Sequence, residues 1–164
     1  MPDPDVVPSA YWWHPDIDAA TLRHNLKANS GRLTSLGAFV RDGELRFSAA
    51  CVANAGDAHA EGGWDDDILA DALRHKMDNE NCRIVCLTSY LVQGQRHYAA
   101  AWVKNTGEHK KTWWWHHDLD TDSLGKRIGQ DNGVLSAIEA WDVGNNQTRC
   151  AAVWVAAQRN NAVS

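Results

Sequence analysis

The chain is poor in several features that would narrow its class quickly. Its 164 residues include four prolines, four cysteines, two methionines and two phenylalanines. No apolar run approaches the roughly 20 residues that a membrane-spanning helix needs. The opening residues, Met1-Pro2-Asp3-Pro4-Asp5, are acidic and polar. They have neither the basic nor the apolar region of a secretory leader. A soluble, cytoplasmic protein is expected, with no membrane partner. The net charge of −5 speaks against a strongly basic surface, so no nucleic-acid partner is expected either. Cys51, Cys82, Cys86 and Cys150 form no CxxC pair and fit no common zinc spacing. They read as free, mostly buried thiols. No metal and no cofactor are expected.

Tryptophan is what the chain has in excess, with nine residues. The densest stretch is Trp113-Trp114-Trp115-His116-His117-Asp118. It is echoed by Tyr11-Trp12-Trp13-His14-Pro15-Asp16 and by Gly62-Gly63-Trp64-Asp65-Asp66-Asp67. Trp13, Trp64 and Trp115 are spaced by 51 residues. The same offset aligns Leu22, Leu73 and Leu124, then Leu26, Met77 and Ile128, then Leu36, Leu87 and Ile138. One extra residue enters the third copy near Gly144-Asn145-Asn146. After it Phe47, Tyr98 and Cys150 correspond, as do Val52, Val103 and Val155. Apolar-for-apolar matching at so many positions defines three internal repeats, about 11–56, 62–107 and 113–157.

Each repeat opens with an aromatic loop. A helix follows, over 18–28, 69–78 and 120–130, with apolar residues four apart on one face. Asp18 and Asp120 stand where an N-cap is wanted. Gly31 and Gly133 are expected to stop their helices at positive φ, with Cys82 as the exception. Two strands and a tight turn complete the repeat. Asp42-Gly43 between apolar runs is a strong hairpin signal. The return strands are apolar on both faces around Ala49-Ala50-Cys51, Ala99-Ala100-Ala101 and Ala151-Ala152-Val153, which implies burial on both sides. A unit this small cannot bury a core alone. The fold expected is therefore α+β: three loop–helix–β-hairpin repeats sharing one core with pseudo-threefold symmetry, built from six antiparallel strands. Residues 1–10 and 158–164 fall outside the repeats and are expected to be loose.

The Trp-rich loop, the Leu-x-x-x-Leu helix, Arg32-Leu33-Thr34-Ser35-Leu36 and Tyr98-Ala99-Ala100-Ala101-Trp102-Val103-Lys104-Asn105 together resemble a known family. It is the bacterial tandem-repeat module of about fifty residues found beside β-lactamase-like serine hydrolases, as in the non-catalytic N-terminal domain of polyglycine hydrolases. The resemblance runs from Tyr11 to Ala157. It implies the fold and a domain whose catalytic residues lie elsewhere. The third copy departs from the pattern, with Val134 where the others carry Arg32 and Arg83.

Position 13/64/115 is Trp in every copy and reads as core. Trp12, Trp113 and Trp114 vary between copies, Gly63 and Gly62 replacing them in the second. Indoles offer flat apolar faces to a ligand. The ligand-binding residues expected are Trp12, His14, Trp113, Trp114, His116 and His117, in a non-catalytic recognition domain for a small molecule, glycan or peptide. The alternative is a small enzyme using His116, His117 and Asp118 as acid/base groups in a Trp-lined pocket. A third reading is assembly, a homo-oligomer formed through an exposed aromatic patch. Asp16, Asp67 and Asp118, with His14 and His116, suit a metal only if the loops converge; they equally suit helix N-termini. Ser123-Leu124-Gly125-Lys126 matches an S-x-x-K string but lacks its partner motifs. Arg46, His97 and Arg149 fit a solvated strand edge or an anion contact.

Overall fold

A computed structural model describes residues 7–157. The expectation that the chain ends are loose falls, for 1–6 and 158–164, outside the described residues. The fold is α+β. Among the described residues there are three helices and three small antiparallel sheets of three strands each. No helix there is long and apolar enough to cross a membrane.

The first segment runs β1 (Tyr11–Ile17), α1 (Ala19–Ala28), β2 (Gly31–Arg41), β3 (Glu44–Ala53). The second runs β4 (Gly62–Ile68), α2 (Ala70–Glu80), β5 (Cys82–Val92), β6 (Gln95–Lys104). The third runs β7 (Trp113–Leu119), α3 (Thr121–Asp131), β8 (Gly133–Asp142), β9 (Thr148–Ala156). Three-residue 3₁₀ turns follow β3 and β6, at Gly56–Ala58 and Gly107–His109. In each sheet the return strand lies in the centre, in the orders β1-β3-β2, β4-β6-β5 and β7-β9-β8.

The aromatic stretches are therefore strands, not loops, and nine strands replace the expected six. The reason is cross-strand pairing. Trp12 faces Cys51, Gly63 faces Trp102 and Trp114 faces Trp154. As strands, these segments send alternate side chains to opposite faces. A second irregularity recurs as well. Register shifts between His14 and Ile17, Asp65 and Ile68, and His116 and Leu119 are β-bulges that end the pairing just before each helix.

The helices begin as expected. Thr21 N donates to Asp18 Oδ1 at 2.8 Å and Ser123 N to Asp120 Oδ1 at 2.7 Å. Their ends differ. The left-handed residues are Ser30, Asn81 and Asn132, one position before Gly31, Cys82 and Gly133. Gly31 and Gly133 open strands instead. Their lack of a Cβ serves packing: one added at Gly31 would lie 2.5 Å from Trp12 Cη2, and one at Gly133 2.5 Å from Trp154 Cδ1. In the second segment Gly63 stands in place of Trp12 and Cys82 in place of Gly31. The hairpins match their signal, with positive φ at Asp42-Gly43 and at Gln93-Gly94, the type I′ pattern.

The chain forms two compact units, Met1–Lys110 and Lys111–Ser164. In the first, Leu22, Leu26, Leu36 and Phe47 form one core with Cys86, Tyr90, Ala99 and Ala101, so two segments share it. In the second, Leu119, Leu124, Cys150, Ala152 and Trp154 form a cluster with Trp114 and Ile128 packed against it. All four cysteines are free and buried. Burial lifts the thiols of Cys51 and Cys86 to about 11 and about 12.

Two glycine substitutions test this packing by chemical denaturation. Gly31→Ala is expected to cost about 1–3 kcal/mol, because the new methyl meets the Trp12 ring. Gly125→Ala, in the middle of α3 with nothing within 4 Å of its Cβ, is expected to stabilise by about 0.5–1 kcal/mol.

Candidate functional site

The sequence-predicted residues separate once the strands are in place. Trp12 packs against the first core and over Gly31. Trp114 stacks on Trp154, centroids 6.5 Å apart and planes inclined by 22°. His116 stacks on the same indole at 5.6 Å, and its Nε2 lies 3.3 Å from Arg127 Nη1. His117 instead lies beside Trp115 at 5.7 Å. The two imidazoles thus belong to opposite faces of β7. Asp118 sits in the bulge at φ 56°, its carbonyl accepting from Arg149 Nη1 at 3.4 Å. Trp113 is half-buried and pairs with Val155. His14 is half-buried, and its Nε2 is shielded from solvent without a hydrogen-bond partner.

Position 13/64/115 is not uniformly core. Trp115 is buried and Trp64 half-buried, but Trp13 is 68% exposed and stacks with Tyr11. The physical reason is alternation along β1. Trp12 and His14 take the helix-facing side, which leaves Tyr11 and Trp13 on the other.

The equivalent carboxylates find partners within their own segments. Arg46 Nε bonds Asp16 Oδ1 at 2.6 Å and His97 Nδ1 meets Asp67 Oδ1 at 2.5 Å. Arg41 also pairs with Asp16. The Arg46 hydrogen bond holds the Asp16 carboxyl below its ordinary value. No group of three or more potential metal ligands occurs among the described residues. Ser123 and Lys126 lie on the ordinary first turns of α3, the Ser123 amide being capped by Asp120.

A different set of residues lines a cleft. It lies in the Met1–Lys110 unit, has a volume of about 340 Å³, and is lined by Arg32, Thr34, Val52, Ala58, Arg83, Val85, Val103 and His109, with Pro8, Asp57 and Ala60. Most of these come in equivalent pairs 51 residues apart: Arg32 with Arg83, Thr34 with Val85, Val52 with Val103, Ala58 with His109. Arg32 Nε donates to Ala58 O and Arg83 Nε to His109 O, each at 3.1 Å. The two arginines thereby tie the 3₁₀ turns to β2 and β5. Bulges at Thr34 and at Val85 interrupt β2 and β5 at the same place.

The electrostatics of this cleft are unusual. Both guanidinium groups are half-buried, and neither pairs with a carboxylate among the described residues. Burial lowers the pKa of each, yet an arginine stays charged at any physiological pH. Each uses Nε on a carbonyl and keeps its other donors. A second cavity of about 90 Å³ shares Arg32, Ala60, Val85 and Val103 with the cleft and adds Trp64 and Trp102. Cationic donors and indole surface thus adjoin. None of Trp12, His14, Trp113, Trp114, His116 and His117 lines either space. The signal was present in sequence as the recurrence of Arg at 32 and 83 against Val134. Its meaning needed the fold, which places the two arginines on one cleft.

Comparison with protein-family models, curated proteins and solved structures finds no match.

The capping carboxylates carry a pH dependence. The Asp18 carboxylate accepts from the Thr21 amide and hydroxyl, and these bonds depress its pKa. A depressed folded-state pKa stabilises above the ordinary carboxylate value, and that stabilisation is lost as pH falls through the folded value. Asp18→Ala is expected to melt below wild type at pH 7, with the gap closing on acidification. A gap that persists at pH 2 would contradict the capping role.

Proposed function

We propose that this chain is a non-catalytic recognition domain for a small molecule, glycan or peptide that carries an anionic group. The observation behind this reading is the pair of half-buried guanidinium groups, Arg32 and Arg83, on one cleft without a carboxylate partner. A buried charge is costly unless paired. A carboxylate or phosphate offers the counter-charge and accepts hydrogen bonds in the planar geometry a guanidinium presents. His109 is already engaged, its Nε2 lying 3.0 Å from His59 O, so it supports the turn and leaves the anion to the arginines. The adjoining Trp64 and Trp102 favour a ligand with an apolar ring or chain next to its charge.

The resemblance to the tandem-repeat module supports a non-catalytic role. In this reading the Trp/His strands build the scaffold, and the cleft replaces them as the contact surface.

Isothermal titration with inorganic phosphate and with succinate tests the proposal. Saturable binding is expected, weakening as salt rises. Hydrogen bonds to charged groups are worth about 1.5–3 kcal/mol. Arg32→Gln or Arg83→Gln is therefore expected to weaken binding by roughly 10–100-fold. Binding that survives the double substitution unchanged, or no binding of either anion, would overturn it.

A further inference from the structure

Equivalent residues of the three segments differ most in exposure at two places. Trp13 is 68% exposed and Trp115 3%. In the opposite sense Leu36 and Leu87 are 8% and 5% exposed, but Ile138 is 53%. Leu33 and Ile84 are likewise buried, whereas Leu135 is 42% exposed. Not one residue of β8 is fully buried, and Val134 is exposed beside these two.

Inside the Met1–Lys110 unit, Leu33, Leu36 and Trp64 at these positions share the core in which the second segment packs on the first. There Leu36 and Trp64 belong to one apolar cluster. Arg23 of α1 lies over the Trp64 ring at 4.6 Å and pairs with Asp66. The Ala38 amide donates to Thr88 Oγ1 at 2.9 Å. A segment thus offers its second strand to the one after it, and its first-strand tryptophan to the one before it. The chain displays the tryptophan half uncovered at Trp13 and the strand half uncovered at Leu135 and Ile138. Two complementary halves of an interface that the chain already forms once are both open.

We propose that a second copy of this chain joins them head to tail. Trp13 and Tyr11 of one copy cover Leu135 and Ile138 of the other. Apolar side chains exposed next to one another mark such contacts. This inference stands apart from the anion-binding cleft, which lies wholly within the Met1–Lys110 unit.

Sedimentation equilibrium from 1 to about 100 μM is the test. The expected mass at the upper end is twice the 18.2 kDa of one chain. Trp13→Ser and Ile138→Asp, both at exposed positions, are each expected to weaken association tenfold or more while leaving the circular dichroism spectrum unchanged. Mixing the two variants is expected to restore association in part, because one intact head then meets one intact tail. A mass of 18.2 kDa at every concentration, or a mixture no tighter than either variant alone, would overturn the proposal.

Discussion

The space between each sheet and its helix is the constraint on which the rest depends. It is filled by indoles, and each segment fills it differently. In the first, Trp12 on the outer strand stands opposite the small Cys51 and reaches over Gly31. In the second the outer strand carries Gly63, and a Cβ added there would lie 3.3 Å from the ring of Trp102 on the central strand. In the third both positions are tryptophan, Trp114 stacking on Trp154, whose Nε1 bonds Asp131 at 2.9 Å. That crowding has a consequence: Ile128 stays half-buried where Leu26 and Met77 are buried. Between the first two segments the variation is therefore exchange of volume across a strand pair. Close-packed interiors require such exchange.

The bulge before each helix is the second recurring device. It turns Asp16, Asp67 and Asp118 out of the ladder beside the return-strand basic residue of the same segment, Arg46, His97 or Arg149. The carboxylates of the first two are thereby paired locally, which separates them from the arginines of the cleft. Arg32 and Arg83 have no carboxylate partner among the described residues; their Nε groups bond carbonyls.

Much of this was legible in the sequence. The three helices, the hairpins and the buried return strands follow from apolar spacing, Asp caps and turn residues. The first strand of each segment was not. A run such as Trp113-Trp114-Trp115-His116-His117 puts large rings on both faces, so its period of two carries no apolar–polar contrast. That same lack of contrast made Trp13 read as core, whereas it is exposed. Gly31 was seen as special for the wrong reason. Sequence shows that a side chain is missing there, and only packing shows that the Trp12 ring excludes one. The cleft was visible as two recurring arginines, but nothing local says that residues 32 and 83 meet on one surface.

Volume exchange across the strand pair is tested most directly by a double-mutant cycle in the first segment, measured by urea denaturation. Trp12→Gly removes an indole and is expected to cost several kcal/mol, on the order of other large-to-small core changes. Adding Cys51→Trp recreates the second segment's arrangement. It is expected to recover at least about 1 kcal/mol of that loss, while the same change beside an intact Trp12 recovers nothing, so that the two substitutions are coupled. Strictly additive effects would contradict the account.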